Sequence, residues 1–125
     1  MAKQKEPYDI NFEIKFYEKV LKESPDFVEV LLALGDLYTR AGFYEKGLRI
    51  DQRLTKLRPQ EAIVFYNLAC SHSLLNNLDA ACESLSKAID LGYNDWQFMS
   101  KDPDLEKLRK DERFQGLLTS LKSKK

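Results

Sequence analysis

The amino-acid sequence repeats itself at an offset of 34 residues, and this period restricts the fold more than any other feature. Pro25 maps onto Pro59, and Pro59 maps onto Tyr93; each position closes a segment with apolar residues at helical spacing. Side chains within the segments also correspond, in the pairs Leu31 and Phe65, Leu34 and Leu68, Gly35 and Ala69, Tyr38 and His72, Gly47 and Ala81, and Leu54 and Ala88. A fixed period with helix-terminating positions indicates a repeated structural unit.

Each unit is predicted to contain two helices. The helical spacing of apolar residues is interrupted at Ala41-Gly42 in the first unit and at Asn76-Asn77 in the second. Small residues stand where two antiparallel helices must approach closely, and these are Gly35, Gly47, Ala69 and Ala81. Larger apolar neighbours are expected to fill the space around these crossings.

This order of large, small and proline positions resembles the tetratricopeptide repeat, a helix-turn-helix unit of 34 residues. The residues that carry the resemblance are Leu31, Leu34, Gly35, Tyr38, Gly47, Pro59, Phe65, Leu68, Ala69, His72, Ala81, Leu85 and Ala88. Two positions depart from the family pattern: Asp51 takes a usually apolar core position, and His72 replaces a tyrosine. The resemblance implies an all-α fold, a short helical solenoid, over residues 28–95.

The whole chain, residues 1–125, is predicted to form one domain. Its parts are a half-repeat helix at 8–24, full repeats at 28–61 and 62–95, and capping helices at 96–122. Asn94, Asp102 and Asp111 are expected to cap the closing helices, since Asn and Asp are preferred at helix N-termini. The closing segment resembles the one that follows tetratricopeptide repeats of the bacterial type. A solenoid needs such a cap because its last apolar face would otherwise meet water.

The half-repeat at 8–24 lacks its first helix, which leaves Phe12, Ile14 and Phe16 as surplus apolar side chains. Four interpretations stay open: self-association, docking of a partner, an altered local packing, and ordinary burial against the neighbouring helix. The tendency of aromatic side chains to lie inside favours burial.

Composition excludes several classes of partner. The 20 basic and 20 acidic residues cancel, so we expect no binding to nucleic acid or to an anionic membrane. No run approaches the roughly 18 apolar residues of a membrane span, and the polar start lacks the apolar stretch of a secretory signal. Cys70 and Cys82 have neither zinc-type spacing nor the number that a disulfide framework needs. A reduced, cytoplasmic protein is predicted.

The titratable residues predict no enzyme, no metal site and no cofactor. His72, the single histidine, is expected to pack inside its helix pair. Cys70 precedes it by two residues, and residues two apart on a helix point about 200° from each other, so they form no nucleophile–base pair. Cys82 is interpreted as a small apolar residue, and Cys70 either as the same or as a redox-sensitive thiol beside the groove.

The resemblance also implies a binding surface, because the first helices of the repeats line a concave groove in this family. Carried onto this sequence, the groove comprises Leu32, Ala33, Asp36, Thr39, Arg40, Ile63, Tyr66, Asn67, Cys70, Ser73 and Leu74. Asn67 matches part of the clamp by which some family members hold a chaperone C-terminus. That clamp also needs a lysine and a second asparagine, and Leu32 and Asp36 stand at those places. The clamp for a chaperone C-terminus is therefore expected to be absent or rebuilt.

The predicted function is non-catalytic protein binding, with a peptide or helix of a partner in this groove. Tyr66 and Leu32 are expected to serve as apolar anchors, and Asn67 and Arg40 to orient the partner through polar contacts. The alternative is a structural protein that self-assembles into a homo-oligomer through Phe12, Ile14 and Phe16.

Overall fold

A computed structural model describes residues 9–123, and these residues form helices and turns without a strand. The helices are α1 Ile10–Glu23, α2 Val28–Arg40, α3 Tyr44–Leu57, α4 Ala62–Leu74, α5 Leu78–Asp90, α6 Trp96–Met99, α7 Glu106–Arg109 and α8 Glu112–Ser123, with a 3-10 turn at Pro103–Leu105. The polar start, Tyr8 at the predicted start of the half-repeat, and the final lysines 124 and 125 lie outside the described residues.

The helix boundaries keep the period of the sequence. Helices α2 and α4 begin at Val28 and Ala62, and α3 and α5 begin at Tyr44 and Leu78, each pair 34 residues apart. Helix α1 packs on α2, so the described chain is a half-repeat, two full repeats and a helical closing segment. The predicted all-α solenoid is confirmed.

The turns inside the two repeats are equivalent despite different residues. Gly42 and Asn76 both have positive φ, at 87° and 64°. In each turn the next main-chain N–H donates to a carbonyl near the end of the preceding helix, Phe43 to Tyr38 and Asn77 to His72, both at 2.8 Å. Glycine and asparagine are the residues that tolerate this left-handed conformation best. The prediction that Asn76-Asn77 replaces the glycine break is confirmed.

The small residues lie where the helices approach most closely. A Cβ added to Gly35 would lie 3.2 Å from Ile50 Cγ2, and one added to Gly47 would lie 3.2 Å from Thr39 Oγ1. In the second repeat Ala69 and Ala81 are fully buried. The repeats therefore use glycine in one unit and alanine in the next for the same close packing.

Helix α1 covers only part of its apolar surface. Ile14 is buried against Leu34, Leu37 and Tyr38 of α2. Phe12 and Phe16, in contrast, are 70% and 53% exposed. The expectation of burial is confirmed for Ile14 and wrong for the two phenylalanines, which stand on the outer surface of the helix.

The closing segment completes the core of the second repeat. Fully buried side chains from it join the cluster around α4 and α5, and these are Met99, Leu105, Leu108 and Phe114. Their burial removes from water the apolar face that the last repeat would otherwise expose.

Aspartates begin the closing helices. The side chain of Asp102 accepts a hydrogen bond from the N–H of Asp104, and that of Asp111 accepts one from the N–H of Arg113. The cap of α6 is Asp95, which accepts from the N–H of Phe98. The prediction of Asn94 was therefore wrong by one residue. Between residues 9 and 123, no helix combines the length and hydropathy needed to cross a membrane.

Candidate partner-binding groove

One pocket lies where α2, α3, α4 and the first part of the closing segment meet, and we call it the groove pocket. Its cavity volume is about 250 Å³. The lining residues are Leu32, Gly35, Asp36, Thr39, Asp51, Ile63, Tyr66, Asn67, Cys70, Ser71, Phe98, Asp102 and Asp104. The chain thus brings two first helices of the repeats, one second helix and the cap around a single space.

Most of the residues predicted for the groove share this pocket. Those that line it are Leu32, Asp36, Thr39, Ile63, Tyr66, Asn67 and Cys70. They come together because positions three or four apart on a helix lie on one face, and the repeat period aligns the faces of α2 and α4. Arg40, Ser73, Leu74 and Ala33 lie outside the pocket lining.

The C-terminal end of α4 is covered by the closing segment. Ser73 is fully buried, and its Oγ accepts a hydrogen bond from the N–H of Leu108 at 3.3 Å. The carbonyl of Leu74 accepts one from Lys107 Nζ at 3.2 Å. The prediction that Ser73 faces a partner is wrong, because the cap already occupies that position.

Arg40, another residue predicted for the groove, is exposed on α2 and forms an ion pair with Asp36 at 3.0 Å.

Tyr66 belongs to the interior rather than to the open groove. It is only 3% exposed, and its hydroxyl donates to Asp102 Oδ2 at 2.6 Å. Its ring stacks on that of Tyr93, with 4.4 Å between centroids. The prediction of Tyr66 as an apolar anchor for a partner is therefore wrong, since Tyr93 covers its ring and Asp102 of the closing segment binds its hydroxyl.

The exposed apolar surface of the pocket comes from two other residues. Ile63, in the first turn of α4, is 48% exposed, and Phe98 of α6 is 50% exposed. Leu32 of α2 is partly buried and lines the same space. Sequence reasoning included Ile63 and Leu32 but missed Phe98, which the repeat register assigned to the cap. The position of Phe98 in the sequence, beyond the second repeat, gave no indication that its side chain lines the groove pocket.

Asp51 lies in the wall of the pocket. In the sequence it was recognised only as a departure from the apolar residue that the family usually has at this core position. It is 6% exposed, and Ser71 Oγ donates to its Oδ2 at 2.5 Å. Burial raises the pKa of Asp51 to about 7, and the hydrogen bond from Ser71 opposes the shift. A charged residue at a position normally filled by an apolar one was the available signal for a functional role.

Two more carboxyl groups enter the pocket from the closing segment. Asp102 is buried and accepts from Tyr66, from the main chain of Asp104 and weakly from Cys70 Sγ at 3.8 Å. The pKa of Asp104 is raised by partial burial and by the negative charges of Asp102 and Asp36. Among the described residues, no lysine, arginine or histidine lines this space.

The cysteines and the histidine behave as packing residues. Cys70 is buried, and burial together with the charge of Asp102 raises the pKa of its thiol well above the usual value. It is therefore a thiol rather than a reactive thiolate near neutral pH. Cys82 is also buried with a raised pKa. Partial burial lowers the pKa of His72, and its Nδ1 lies 3.4 Å from Asn77 Nδ2.

A second, broader depression of about 930 Å³ lies between α5 and α8. Its lining residues are Asp79, Cys82, Glu83, Ser86, Lys87, Asp90, Arg113, Gly116 and Leu117. Charges of both signs alternate there, and Arg113 is already bound to Asp79 and Asp111. The groove pocket is the better candidate for a binding site, because exposed apolar side chains and several carboxyl groups converge in it without a basic side chain among its described lining residues.

Comparison with known families and proteins agrees with the repeat architecture. The family model described as tetratricopeptide repeat matches residues 62–92, which are α4, α5 and the turn that follows. The chain is 40% identical over 84 residues to a chloroplastic protein of Arabidopsis thaliana. That match covers 65% of this chain and 25% of the relative. A 52-residue stretch is 48% identical to Protein CTR9 homolog of the same plant, covering 42% of this chain and 5% of that protein. The chain thus spans a quarter or less of these relatives.

Solved structures share the fold over nearly the whole chain. The crystal structure of MamA has a TM-score of 0.68 and 26% identity, and the match covers 92% of this chain and 70% of that one. A structure titled MamA RS-1 ArsTM double mutant has a TM-score of 0.69, 19% identity, and coverage of 93% and 67%. The second likeness concerns the fold alone.

Proposed function

Because this chain is a tetratricopeptide-repeat protein, we propose that it is a non-catalytic interaction module that binds a segment of a partner protein in the groove pocket. The observation that carries the proposal is the convergence of half-exposed Ile63 and Phe98 with polar Asn67 and Asp36 around one cavity. A few apolar contacts with polar groups beside them are the usual composition of a peptide-binding surface.

The size of the pocket supports a side chain as its occupant. Small-molecule and cofactor sites usually enclose about 300–1,000 Å³, and the groove pocket encloses about 250 Å³. The closing segment contacts α4 at Tyr66, Cys70 and Ser73, so the open surface runs from α2 to the first turn of α4. A short extended segment that inserts one or two side chains fits this surface better than a long helix does.

A cytoplasmic location, supported by the two free thiols, is part of the same proposal.

Replacing Ile63 by glutamate tests the groove. Ile63 is in the first turn of α4, where an acidic side chain suits the helix dipole, so the helix is expected to remain intact. Peptides are first selected on the wild-type protein from a random library displayed on phage. Their affinities for the variant are then expected to fall at least about tenfold, which is the loss typical of a contact at the centre of an interface.

Phe16→Glu is the matched control, because Phe16 is 53% exposed and lies on α1. It is expected to bind the selected peptides as the wild type does. A library that yields no binder, or peptides that lose affinity with Phe16→Glu and not with Ile63→Glu, would contradict the proposal.

Self-assembly is the second candidate function, and the exposure of Phe12 and Phe16 favours it. Two neighbouring exposed aromatic rings on one helix are a usual feature of a protein contact. Light scattering over a wide concentration range distinguishes the two functions. If the mass of the wild type rises with concentration while the Phe12→Glu, Phe16→Glu double variant stays monomeric, self-assembly becomes the better supported of the two functions.

A further inference from the structure

The polar wall of the groove pocket carries a single sign of charge. Its titratable carboxyl groups are Asp36, Asp51, Asp102 and Asp104, and among residues 9–123 no basic side chain joins them in the lining. The chain as a whole has 20 basic and 20 acidic residues, so the charges are segregated locally. Arg40, on the exposed side of α2, is paired with Asp36 at 3.0 Å. Arg109 donates to the main-chain carbonyls of Met99 and Asp102.

One carboxylate oxygen in the groove pocket receives no hydrogen bond from the residues that the structure describes. Asp51 is 6% exposed, and its hydrogen bond from Ser71 is made to Oδ2. Its other oxygen, Oδ1, accepts no hydrogen bond from any group in the described part of the chain. Oδ1 lies beside Gly35 in the pocket wall, 3.3 Å from where a Cβ would stand. Because Oδ1 opens into the pocket and is not sealed in the core, a donor of a bound ligand can reach it.

From the charge of the wall and the unpaired oxygen of Asp51, we propose that the groove pocket receives a lysine or arginine side chain of the partner segment. An apolar residue next to that side chain in the partner packs on Ile63 and Phe98. The proposal rests on the function proposed above and adds the chemistry of the partner.

The long stem of a basic side chain suits the shape of this site. Lysine and arginine bury their methylene groups against apolar surface and keep the charged head on polar groups. Ile63 and Phe98 supply the apolar surface near the entrance, and Asp51 and Asp104 supply the carboxyl groups. A lysine ammonium has three donors and an arginine guanidinium has five, so either can donate to Oδ1 of Asp51.

The titration of the pocket supports the same occupant. The pKa of Asp51 is raised by burial, and that of Asp104 by burial and by the charges of Asp102 and Asp36. The shift of Asp51 expresses the cost of burying a carboxylate, and that of Asp104 expresses the same cost together with the repulsion of two neighbouring carboxylates. A cationic side chain entering the pocket removes that cost, whereas an acidic one adds to it.

Fixed-position peptide pools test the inference. The probes are biotinylated octapeptides in which a central residue is lysine, arginine, glutamate, leucine or serine and the others are mixtures. Wild-type protein is expected to bind the lysine and arginine pools at least about tenfold more strongly than the glutamate and serine pools. Asp51→Asn and Asp104→Asn are each expected to reduce binding of the basic pools about tenfold. Asp90→Asn is the control, since Asp90 is an exposed carboxylate of α5 outside the groove pocket.

The outcomes separate this inference from the proposed function. If the leucine pool binds and Ile63→Glu abolishes that binding, while lysine and glutamate pools do not differ, the groove stands and the basic occupant is wrong. If Asp90→Asn weakens the basic pools as much as Asp51→Asn does, the attraction is nonspecific and the inference fails. If no pool is sensitive to Ile63→Glu, both proposals fail. Circular dichroism checks that each variant keeps its helices.

Discussion

Asp51→Asn is expected to stabilise the fold at pH 8 and to remove much of its loss of stability between pH 5 and pH 8. Burial raises the pKa of Asp51 from 3.8 to about 7. Between these values the folded chain holds a proton that the unfolded chain has released, so the free energy of unfolding falls as pH rises. A shift of this size corresponds to at most about 4 kcal/mol at 1.36 kcal/mol per pKa unit.

Asparagine is a close match in shape and keeps an oxygen that can accept from Ser71. Thermal unfolding of wild type and variant at pH 5 and pH 8 measures the effect. The variant is expected to gain several degrees more at pH 8 than at pH 5, because the stability of the wild type continues to fall up to the folded pKa of about 7. Asp104 has a raised pKa and Asp111 a lowered one, so both also make stability depend on pH. Because they are present in both proteins, the difference in pH dependence between wild type and variant reports on Asp51. Equal slopes with pH in the two proteins would show that Asp51 is charged in the fold at little cost.

Phe114→Ala is expected to give the largest loss of stability of the variants considered. Phe114 is fully buried where α8 joins the core of the second repeat. Truncating a buried phenylalanine typically costs about 3–5 kcal/mol, because apolar contacts are lost and a cavity remains. Urea unfolding monitored by circular dichroism measures the change in the free energy of unfolding.

Phe16→Ala is the matched control, since the same chemical change is made at a side chain that is 53% exposed. Its effect is expected to stay within about 0.5 kcal/mol. A loss below about 1 kcal/mol for Phe114→Ala, with the helices retained, would be inconsistent with the closing segment as part of the core. A loss of about 3–5 kcal/mol would instead indicate that the closing segment is a stable part of the fold and forms one wall of the groove pocket.

At Asp51, the stability of the free protein and the binding of a partner are expected to oppose each other. The burial of the Asp51 carboxyl group weakens the isolated protein, and its Oδ1 is the atom that a cationic partner would contact. Sites shaped for binding often lower the stability of the free protein in this way. Asp51→Asn is therefore expected to make the fold more stable and its binding weaker, so a loss of binding in this variant cannot arise from unfolding.

The repeat architecture followed from local rules in the sequence. The 34-residue period, the small residues at Gly35 and Ala69, and the turn residues Gly42 and Asn76 each act over a few neighbouring positions. Helical register on α2 and α4 then brought most of the predicted groove residues to one pocket. These features depend on spacing along one helix, which a sequence displays directly.

The path of the closing segment could not be read in the same way. Phe98 and Asp102 reach the groove pocket because the segment folds back onto α4, and the burial of Tyr66 and Ser73 follows from that contact. This packing depends on long-range contacts that no period specifies. Phe12 and Phe16 were misjudged because a general rule for aromatic residues does not say which neighbour is present to cover them.

NMR mapping of a bound peptide onto the protein shows directly whether the groove pocket is the binding surface. A selected peptide is titrated into ¹⁵N-labelled protein, and the amide signals that shift are assigned to residues. We expect shifts around Leu32 and Asp36 of α2, around Ile63 and Asn67 of α4, and at Phe98. Shifts confined to α1 near Phe12 and Phe16, or to the depression between α5 and α8, would contradict the groove as the working surface.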